Sequence, residues 1–219
     1  MKYAKKCAAL LLAGLMATAA LTACSDSEKQ QSSGQDVAME DLEYGATMRL
    51  EKTKYAVPMQ YDYRFLNDDV VTAIANYYAS IEQQDTALFL TTQLPLYHDY
   101  ELNEVYQKEF TDASLLETSH KTVADTLGKD YKYSLIDIQG FEKNRVVTTS
   151  ADILTLLDSL SEDAGEGKIS ERTKDIYQLT VSVYLAEAGT DTVGETADVI
   201  SDTTLFALEL DGKWYVIFT

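Results

Sequence analysis

A histidine flanked by tyrosines is the strongest candidate for polar chemistry in this chain. It lies in Leu96-Tyr97-His98-Asp99-Tyr100, directly after Pro95. Histidine exchanges a proton near neutral pH more readily than other side chains, and a neighbouring carboxylate or phenol orients its ring. Tyr97, His98 and Tyr100 are therefore candidate ligand-binding residues. A loop histidine with polar neighbours is more often simply solvated, and this is the favoured interpretation of His98.

The second histidine, His120, falls on the apolar side of a predicted helix, in line with Leu116 and Val123. This position favours a partly buried packing residue. Two isolated histidines do not make a zinc site without cysteine. The acid-rich segments 163–167 and 191–195 lack the twelve-residue spacing of a calcium loop, and both are predicted to be turns. We expect no metal.

The sequence contains no motif of a covalent or nucleotide-dependent enzyme. Gly-x-Ser-x-Gly, Ser-x-x-Lys, Gly-x-Gly-x-x-Gly and the P-loop pattern are all absent. A serine nucleophile also needs a nearby base, and no motif supplies one. We therefore predict no catalytic residue and no cofactor.

Tyrosine is the compositional outlier, with 15 tyrosines against one tryptophan. Many occur in pairs or alternations, namely Tyr61 and Tyr63, Tyr77 and Tyr78, Tyr97 and Tyr100, and Tyr131 and Tyr133. A large apolar face with a polar tip suits contact with a glycan or peptide. Strands and helix flanks also favour tyrosine for packing alone, and we weigh packing above binding. Trp214 alternates with Val216 and Phe218 and is predicted to lie in the core.

Helices are predicted first and antiparallel strands last. The predicted helices cover 70–81, 85–94, 112–127 and 150–160, with capping residues at Asn67-Asp68-Asp69, Asp85 and Ser150 and with Asp112 as the first residue of the third helix. Residues 161–172 are predicted to be a loop. The predicted strands cover 131–138, 176–185, 203–210 and 214–218, and Asp211-Gly212 indicates a tight hairpin turn. This order is typical of the α+β class, with N-terminal helices packed on a C-terminal, mainly antiparallel sheet.

The first 24 residues have the composition of an export signal. Three lysines lie within the first six residues, and an apolar stretch of 14 residues, Ala8 to Leu21, follows. This stretch is shorter than the ~20 residues that a membrane-spanning helix needs. The next residues, Leu21-Thr22-Ala23-Cys24, resemble the lipobox of bacterial lipoproteins. The resemblance implies that residues 1–23 are removed and that Cys24 carries diacylglycerol.

The remaining chain is predicted to be a tether followed by one domain. Residues 24–45 are rich in Ser, Gln, Asp and Glu and are expected to be flexible. Residues 46–219 are expected to form a single extracytoplasmic domain whose globular part starts at about residue 65; residues 46–64 include an ambiguous edge strand interrupted by Pro58. The resemblance implies a cell-membrane location facing out of the cytoplasm. Because Ser25 follows Cys24, it implies the outer membrane in an organism that has two.

The charge of the mature chain restricts its partners. The full chain has 18 basic and 36 acidic residues, and loss of Lys2, Lys5 and Lys6 with the signal leaves a net charge of −21. Such a domain repels nucleic acid and anionic lipid. The expected partners are the membrane, through the lipid on Cys24, and an envelope protein, peptide or glycan.

The domain also resembles the NTF2-like superfamily. The residues that carry this resemblance are Val70–Asp85, followed by Thr86-Ala87-Leu88-Phe89, and the terminal segment 210–217. The resemblance implies a long helix packed across a curved antiparallel sheet, which together form a cone. The predicted helix at 150–160 departs from the simplest version of that fold.

Three functions remain open at this stage. The leading hypothesis is a non-enzymatic domain that binds a ligand or partner. An NTF2-like enzyme of the isomerase or dehydratase type, with an acid–base pair in an apolar cone, is the first alternative. A component of a solute-uptake system is the second. Fold alone does not decide among them.

Overall fold

The computed structural model describes residues 38–143, 148–190, 193 and 198–218. The predicted signal, Cys24 and residues 24–37 of the predicted tether lie outside these residues, as do most of the acid-rich residues 191–195. Within the described ranges, no helix is long and apolar enough to cross a membrane.

Six α-helices and one π-helical turn are present in the described part. They are α1 (Asp68–Gln83), α2 (Thr86–Thr92), α3 (Pro95–Tyr100), a π-helical turn (Glu101–Val105), α4 (Asp112–Leu127), α5 (Thr148–Asp163) and α6 (Ile169–Arg172). The predicted caps of α1 and α2 are confirmed, because Asn67 accepts hydrogen bonds from the amides of Asp69 and Val70, and Asp85 accepts one from Leu88. Such caps satisfy amides that have no partner within the helix.

Three of the predicted helix boundaries are wrong. Ser150 is not the cap of α5, because the helix begins two residues earlier, at Thr148. The second helix ends at Thr92 rather than at Leu94, and Pro95 begins α3, since proline suits the first turn of a helix. The predicted loop 161–172 contains the end of α5 and the short α6. The Asp158 carboxylate accepts hydrogen bonds from the Ser170 amide at 2.7 Å and hydroxyl at 2.6 Å, which fixes α6 on α5.

One six-stranded sheet, in the order β1-β2-β3-β4-β5-β6, forms the framework. Its strands are β1 (Met48–Glu51), β2 (Met59–Asp62), β3 (Tyr131–Lys143), β4 (Thr173–Glu187), β5 (Asp198–Leu210) and β6 (Lys213–Ile217). Only the β2–β3 pair is parallel, so the α+β class with a mainly antiparallel sheet is confirmed. Asp211 and Gly212 both have positive φ, as the tight hairpin turn between β5 and β6 requires.

Both faces of the sheet are covered by helices. On the first face, α1, α2 and α4 pack over alternating residues of β3 to β6, including Leu179, Val181, Leu205 and Trp214. On the second face, α5 and α6 pack over Ile176, Phe206 and Leu208. Helix α3 contributes His98 near Phe89 of the first cluster and Tyr97 to the second cluster, so it lies at the β6 edge of the sheet.

The folded region begins well before residue 65. Strands β1 and β2 belong to the sheet, and the preceding segment is bound to it through Arg64. The Arg64 guanidinium donates to the carbonyls of Met39, Leu42 and Glu43 and to the fully buried Asp62 carboxylate. Residues 38–45, which the sequence assigns to the tether, thus include a segment held against the domain. The polar composition of this segment did not reveal that its carbonyls are the acceptors of one arginine.

The Asp62–Arg64 pair gives a first test of the fold. Burial by itself raises the pKa of Asp62, but the hydrogen bonds from Arg64 and Thr47 outweigh it and hold the pKa well below 3.8. Arg64→Ala leaves this buried carboxylate with neutral donors from Gly45 and Thr47 but without its cationic partner, so we expect a loss of about 3–5 kcal/mol in the free energy of unfolding. Urea denaturation at pH 7 measures it. Arg49→Ala, which removes an exposed arginine from β1, is the control and is expected to cost less than about 1 kcal/mol.

Trp214 gives a second test. Its side chain is 5% exposed, and its ring centroid lies 4.8 Å from that of Tyr177 on the first face, which confirms the predicted core position. Trp214→Ala is expected to cost about 3–5 kcal/mol of a total domain stability of about 5–15 kcal/mol. The adjacent Lys213→Ala, at an exposed position of β6, is the control. Equal melting temperatures for the two variants would show that Trp214 does not stabilise the core.

Candidate functional site

The three residues selected from the sequence lie on α3. Tyr97 is buried and its hydroxyl donates to the Phe218 carbonyl at 3.3 Å. The Tyr100 ring is half-buried, 6.2 Å from that of Tyr97. Each of these tyrosines thus has a packing contact within the domain, and their role in ligand binding stays a prediction.

His98 is not a solvated loop residue, and that expectation is wrong. It is 4% exposed, and its Nε2 lies 2.7 Å from Oδ1 of Asp112, the first residue of α4. The predicted neighbour Asp99 is therefore not its partner. Its ring meets the edge of Phe89 at 5.5 Å, and its Nδ1 has no hydrogen-bond partner in the part of the chain that the structure describes. His98 joins α3 to the N-terminus of α4, where a carboxylate is favourable.

Four buried tyrosines between α1 and β3 form the most distinctive group in the described chain. We call Tyr77, Tyr78, Tyr131 and Tyr133 the tyrosine cluster; all are between 3% and 6% exposed. Their ring centroids follow one another at 5.4, 5.2 and 5.3 Å, in the order Tyr77, Tyr78, Tyr133, Tyr131. The strand alternation of β3 places Tyr131 and Tyr133 on the face that α1 covers. The cluster therefore spans the interface between helix and sheet.

The hydroxyl of Tyr78 is buried without a hydrogen-bond partner among the described residues. The Tyr131 hydroxyl is also buried, and its side chain interacts with that of Tyr133, which lowers the pKa of Tyr131 and raises that of Tyr133. An unsatisfied buried hydroxyl costs about 1–3 kcal/mol. The cost at Tyr78 is offset by the packing of its ring between α1 and β3.

The tyrosines of the cluster are neutral over the physiological pH range. Burial raises the pKa of Tyr131 to about 12 and raises the pKa of Tyr77, Tyr78 and Tyr133 still further above the usual 10. A neutral phenol keeps its proton and donates it in a hydrogen bond. The cluster is therefore a set of donors rather than a set of anions.

Glu82 and His120 close one end of the cluster. The Glu82 carboxylate accepts the Tyr133 amide hydrogen at 2.6 Å, and burial raises its pKa. The His120 ring stacks on Tyr131 at 5.0 Å, which confirms the predicted packing role of a partly buried residue. Its Nδ1 is buried and has no hydrogen-bond partner among the described residues. A carboxylate and an imidazole thus lie beside the Tyr131 ring.

Glu101 lies near the other end of the cluster. It begins the π-helical turn, in which its carbonyl accepts the Tyr106 amide hydrogen at 2.8 Å. Burial raises the pKa of Glu101 to about 7, and the Glu101 carboxylate in turn adds to the high pKa of Tyr77 and Tyr97. A carboxyl group with this pKa exchanges a proton at neutral pH. π-Helical turns occur often at functional sites.

The sequence contained only part of the signal for this arrangement. The tyrosine pairs and the packing position of His120 are visible in the sequence, but no pattern connects the helix pair to the strand pair. Glu82 follows Tyr78 by four residues, and Glu101 follows Tyr97 by four, which places each acid beside a tyrosine on a helix. That spacing is the local signal for both acids, but it does not indicate burial, and neither acid belongs to a catalytic motif.

The pKa of Glu101 makes stability depend on pH. The ordinary pKa of 4.5 rises to about 7 in the folded protein, so the fold binds this proton more tightly than the unfolded chain does. The resulting stability is complete below pH 4.5 and is lost as the pH rises to about 7, a change of about 3 kcal/mol. Glu101→Gln should remove this dependence, and urea denaturation at pH 5 and pH 8 measures it. Glu104→Gln, at an exposed position in the same turn, should retain it.

The comparisons with known proteins leave the site to be interpreted from its own residues. No protein-family model matches the chain, and no curated protein or solved structure matches it. Among the described residues, no group of three or more His, Cys, Asp or Glu side chains is placed to hold a metal ion.

Proposed function

We propose that this chain is a lipid-anchored extracytoplasmic lipoprotein whose α+β domain binds a ligand or a partner without catalysing a reaction. The observation that carries the anchor is Leu21-Thr22-Ala23-Cys24, directly after a basic segment and a 14-residue apolar stretch. Ser25 after Cys24 favours the outer membrane if the organism has two membranes.

The physics of the anchor supports this proposal. Each buried methylene contributes ~0.8 kcal/mol, and a single acyl chain holds a protein only marginally. Two chains on one cysteine meet the requirement for stable attachment. The domain then needs no membrane-binding surface of its own, in keeping with a net charge that repels anionic lipid.

The tyrosine cluster supports the binding part of the proposal. Its rings form apolar walls, and the buried hydroxyl of Tyr78 has no hydrogen-bond partner in the described part of the chain. A site with apolar walls and a few polar groups is typical of ligand binding in proteins. An NTF2-like cone would place such a cluster between its long helix and its sheet, and we assign α1 that position. The helix α5 between β3 and β4 is an addition to the simplest form of that fold.

Glu101 favours a second candidate function, acid–base catalysis of the isomerase or dehydratase type. Its pKa of about 7 suits proton transfer at neutral pH, and it lies within electrostatic range of Tyr77 and Tyr97. An enzyme that uses this carboxyl group would lose turnover in Glu101→Gln and keep its fold. A binding protein would keep its affinity for a neutral ligand in the same variant.

The anchor is tested by labelling cells with a fatty-acid analogue. Cys24→Ala should abolish labelling of the chain, because the only proposed acceptor of lipid is removed. Cys7→Ala is the matched control, since Cys7 lies in the segment that the proposal removes, and it should label like the parent. Equal labelling of the Cys24→Ala variant and the parent would refute the lipid anchor.

A further inference from the structure

We propose that strand β1 is a self-association surface, through which two copies of this chain form a symmetric dimer. The two β1 strands pair antiparallel about a two-fold axis at Leu50, so that the two sheets become one continuous sheet. This inference goes beyond the proposed function and does not depend on the lipid anchor.

Strand β1 is an open edge of the sheet in the described part of the chain. It pairs with β2 over four consecutive residues without a bulge, and no described strand lies on its other side. The opposite edge, β6, lies beside α3, whose Tyr97 hydroxyl donates to the Phe218 carbonyl just after the strand. An open edge presents backbone N–H and C=O groups that can pair with a strand of another molecule.

The hydrogen bonds of β2 identify which of its backbone groups face β1. The Ile136 amide donates to the Pro58 carbonyl at 2.9 Å, so Pro58 directs its carbonyl toward β3. Successive residues of a strand direct their backbone groups to opposite sides. The backbone groups of Met59 and Tyr61 therefore face β1.

The register then gives the outward groups of β1 itself. Arg49 pairs with Tyr61 and Glu51 with Met59, so the backbone groups of Arg49 and Glu51 are used within the sheet. The amides and carbonyls of Met48 and Leu50 face the open side. In a pair centred on Leu50, the two Leu50 residues exchange both of their backbone hydrogen bonds.

The charges of β1 select this centre. Arg49 and Glu51 flank Leu50 on one face of the strand, and their side chains are 47% and 27% exposed. Pairing centred on Leu50 places Arg49 of each copy opposite Glu51 of the other, at positions without backbone bonds, where side chains lie closest. Pairing centred on Arg49 or on Glu51 would instead place like charges opposite each other.

The second face of β1 contributes an apolar contact. Leu50 is 41% exposed, and it is one of the few large apolar side chains that are exposed among the described residues. On the two-fold axis it lies against its own copy. Removal of this apolar surface from water favours the dimer.

The distribution of charge also favours association at this edge. The full chain has 18 basic and 36 acidic residues, but residues 46–64 contain four basic residues and two acidic ones. Two copies of an acidic chain therefore repel each other least where β1 meets β1.

The symmetry of the dimer is compatible with attachment to one membrane. A two-fold axis between antiparallel edge strands is perpendicular to the sheet, so equivalent residues of the two copies lie at the same height along it. Residues 38–45 of both copies are then equally distant from any surface that lies across this axis.

Disulfide cross-linking in intact cells that express the full chain tests the proposal. Leu50→Cys places two thiols at the axis, where Cα atoms about 5.5 Å apart are within the range of a disulfide. After mild oxidation with copper phenanthroline, we expect a disulfide-linked dimer on non-reducing electrophoresis, above the background of the parent chain with Cys7 and Cys24. Leu90→Cys on α2, at 42% exposure, is the matched control. It should give about tenfold less dimer, because its thiols meet only by random collision.

Charge reversal in the Leu50→Cys chain tests the register. Arg49→Glu and Glu51→Arg should each reduce the linked dimer by about tenfold, since each places two pairs of like charges across the axis. The double variant Arg49→Glu/Glu51→Arg should restore it. Chains with Arg49→Glu and chains with Glu51→Arg, co-expressed with different tags, should cross-link to each other rather than to themselves.

Equal cross-linking of the Leu50→Cys and Leu90→Cys chains would overturn the proposal. Cross-linking of the Leu50→Cys chain that survives Arg49→Glu unchanged, or that the double variant does not restore, would also overturn it. Circular dichroism of each purified full-length variant shows that the fold is retained, so that a lost cross-link reports on the edge of the sheet.

Discussion

The apolar character of β4 and β5 on both faces is the constraint on which the rest of the structure depends. Ile176 and Leu208 point to one side of the sheet, and Leu179 and Leu205 point to the other. Exposure of either face to water would be unfavourable, because burial stabilises the fold by roughly 25 cal/mol per Å² of apolar surface. The chain therefore needs helices on both sides. Helices α1, α2 and α4 cover the first face, and α5 and α6 cover the second.

The placement of the tyrosine cluster is a consequence of this constraint. Helix α1 covers the first face with its most apolar side, which brings Tyr77 and Tyr78 over the beginning of β3. Tyrosine has a large apolar ring, so it fills this interface as well as phenylalanine would. Its hydroxyl is carried into the interior with the ring. Polar groups thus lie in the core because the rings are needed there.

Local signals in the sequence predicted most elements, whereas contacts between distant segments were not predictable. The Asn67 cap, the Gly128 end of α4 and the Asp211-Gly212 turn each depend on a few adjacent residues. In contrast, a register shift between Tyr133 and Leu135 interrupts the alternation of β3. After the shift, the side chains on the first face are those of Ile136 and Ile138. Similarly, the His98–Asp112 pair depends on how α3 meets α4. Burial, which raises the pKa of Glu101, is a property of the whole fold and has no local signature.

The treatment of Asp62 shows what a buried charge requires and a buried neutral group does not. This carboxylate is fully buried, and the fold surrounds it with donors from Gly45, Thr47 and Arg64. Several neutral polar atoms are buried without a hydrogen-bond partner among the described residues, including the Tyr78 hydroxyl, Ser161 Oγ and Thr203 Oγ1. An unsatisfied neutral group costs about 1–3 kcal/mol, whereas an unpaired buried charge costs more. The fold therefore concentrates its donors on the charged group that joins the N-terminal segment to the sheet, and the tyrosine rings contribute packing even where a hydroxyl has no partner.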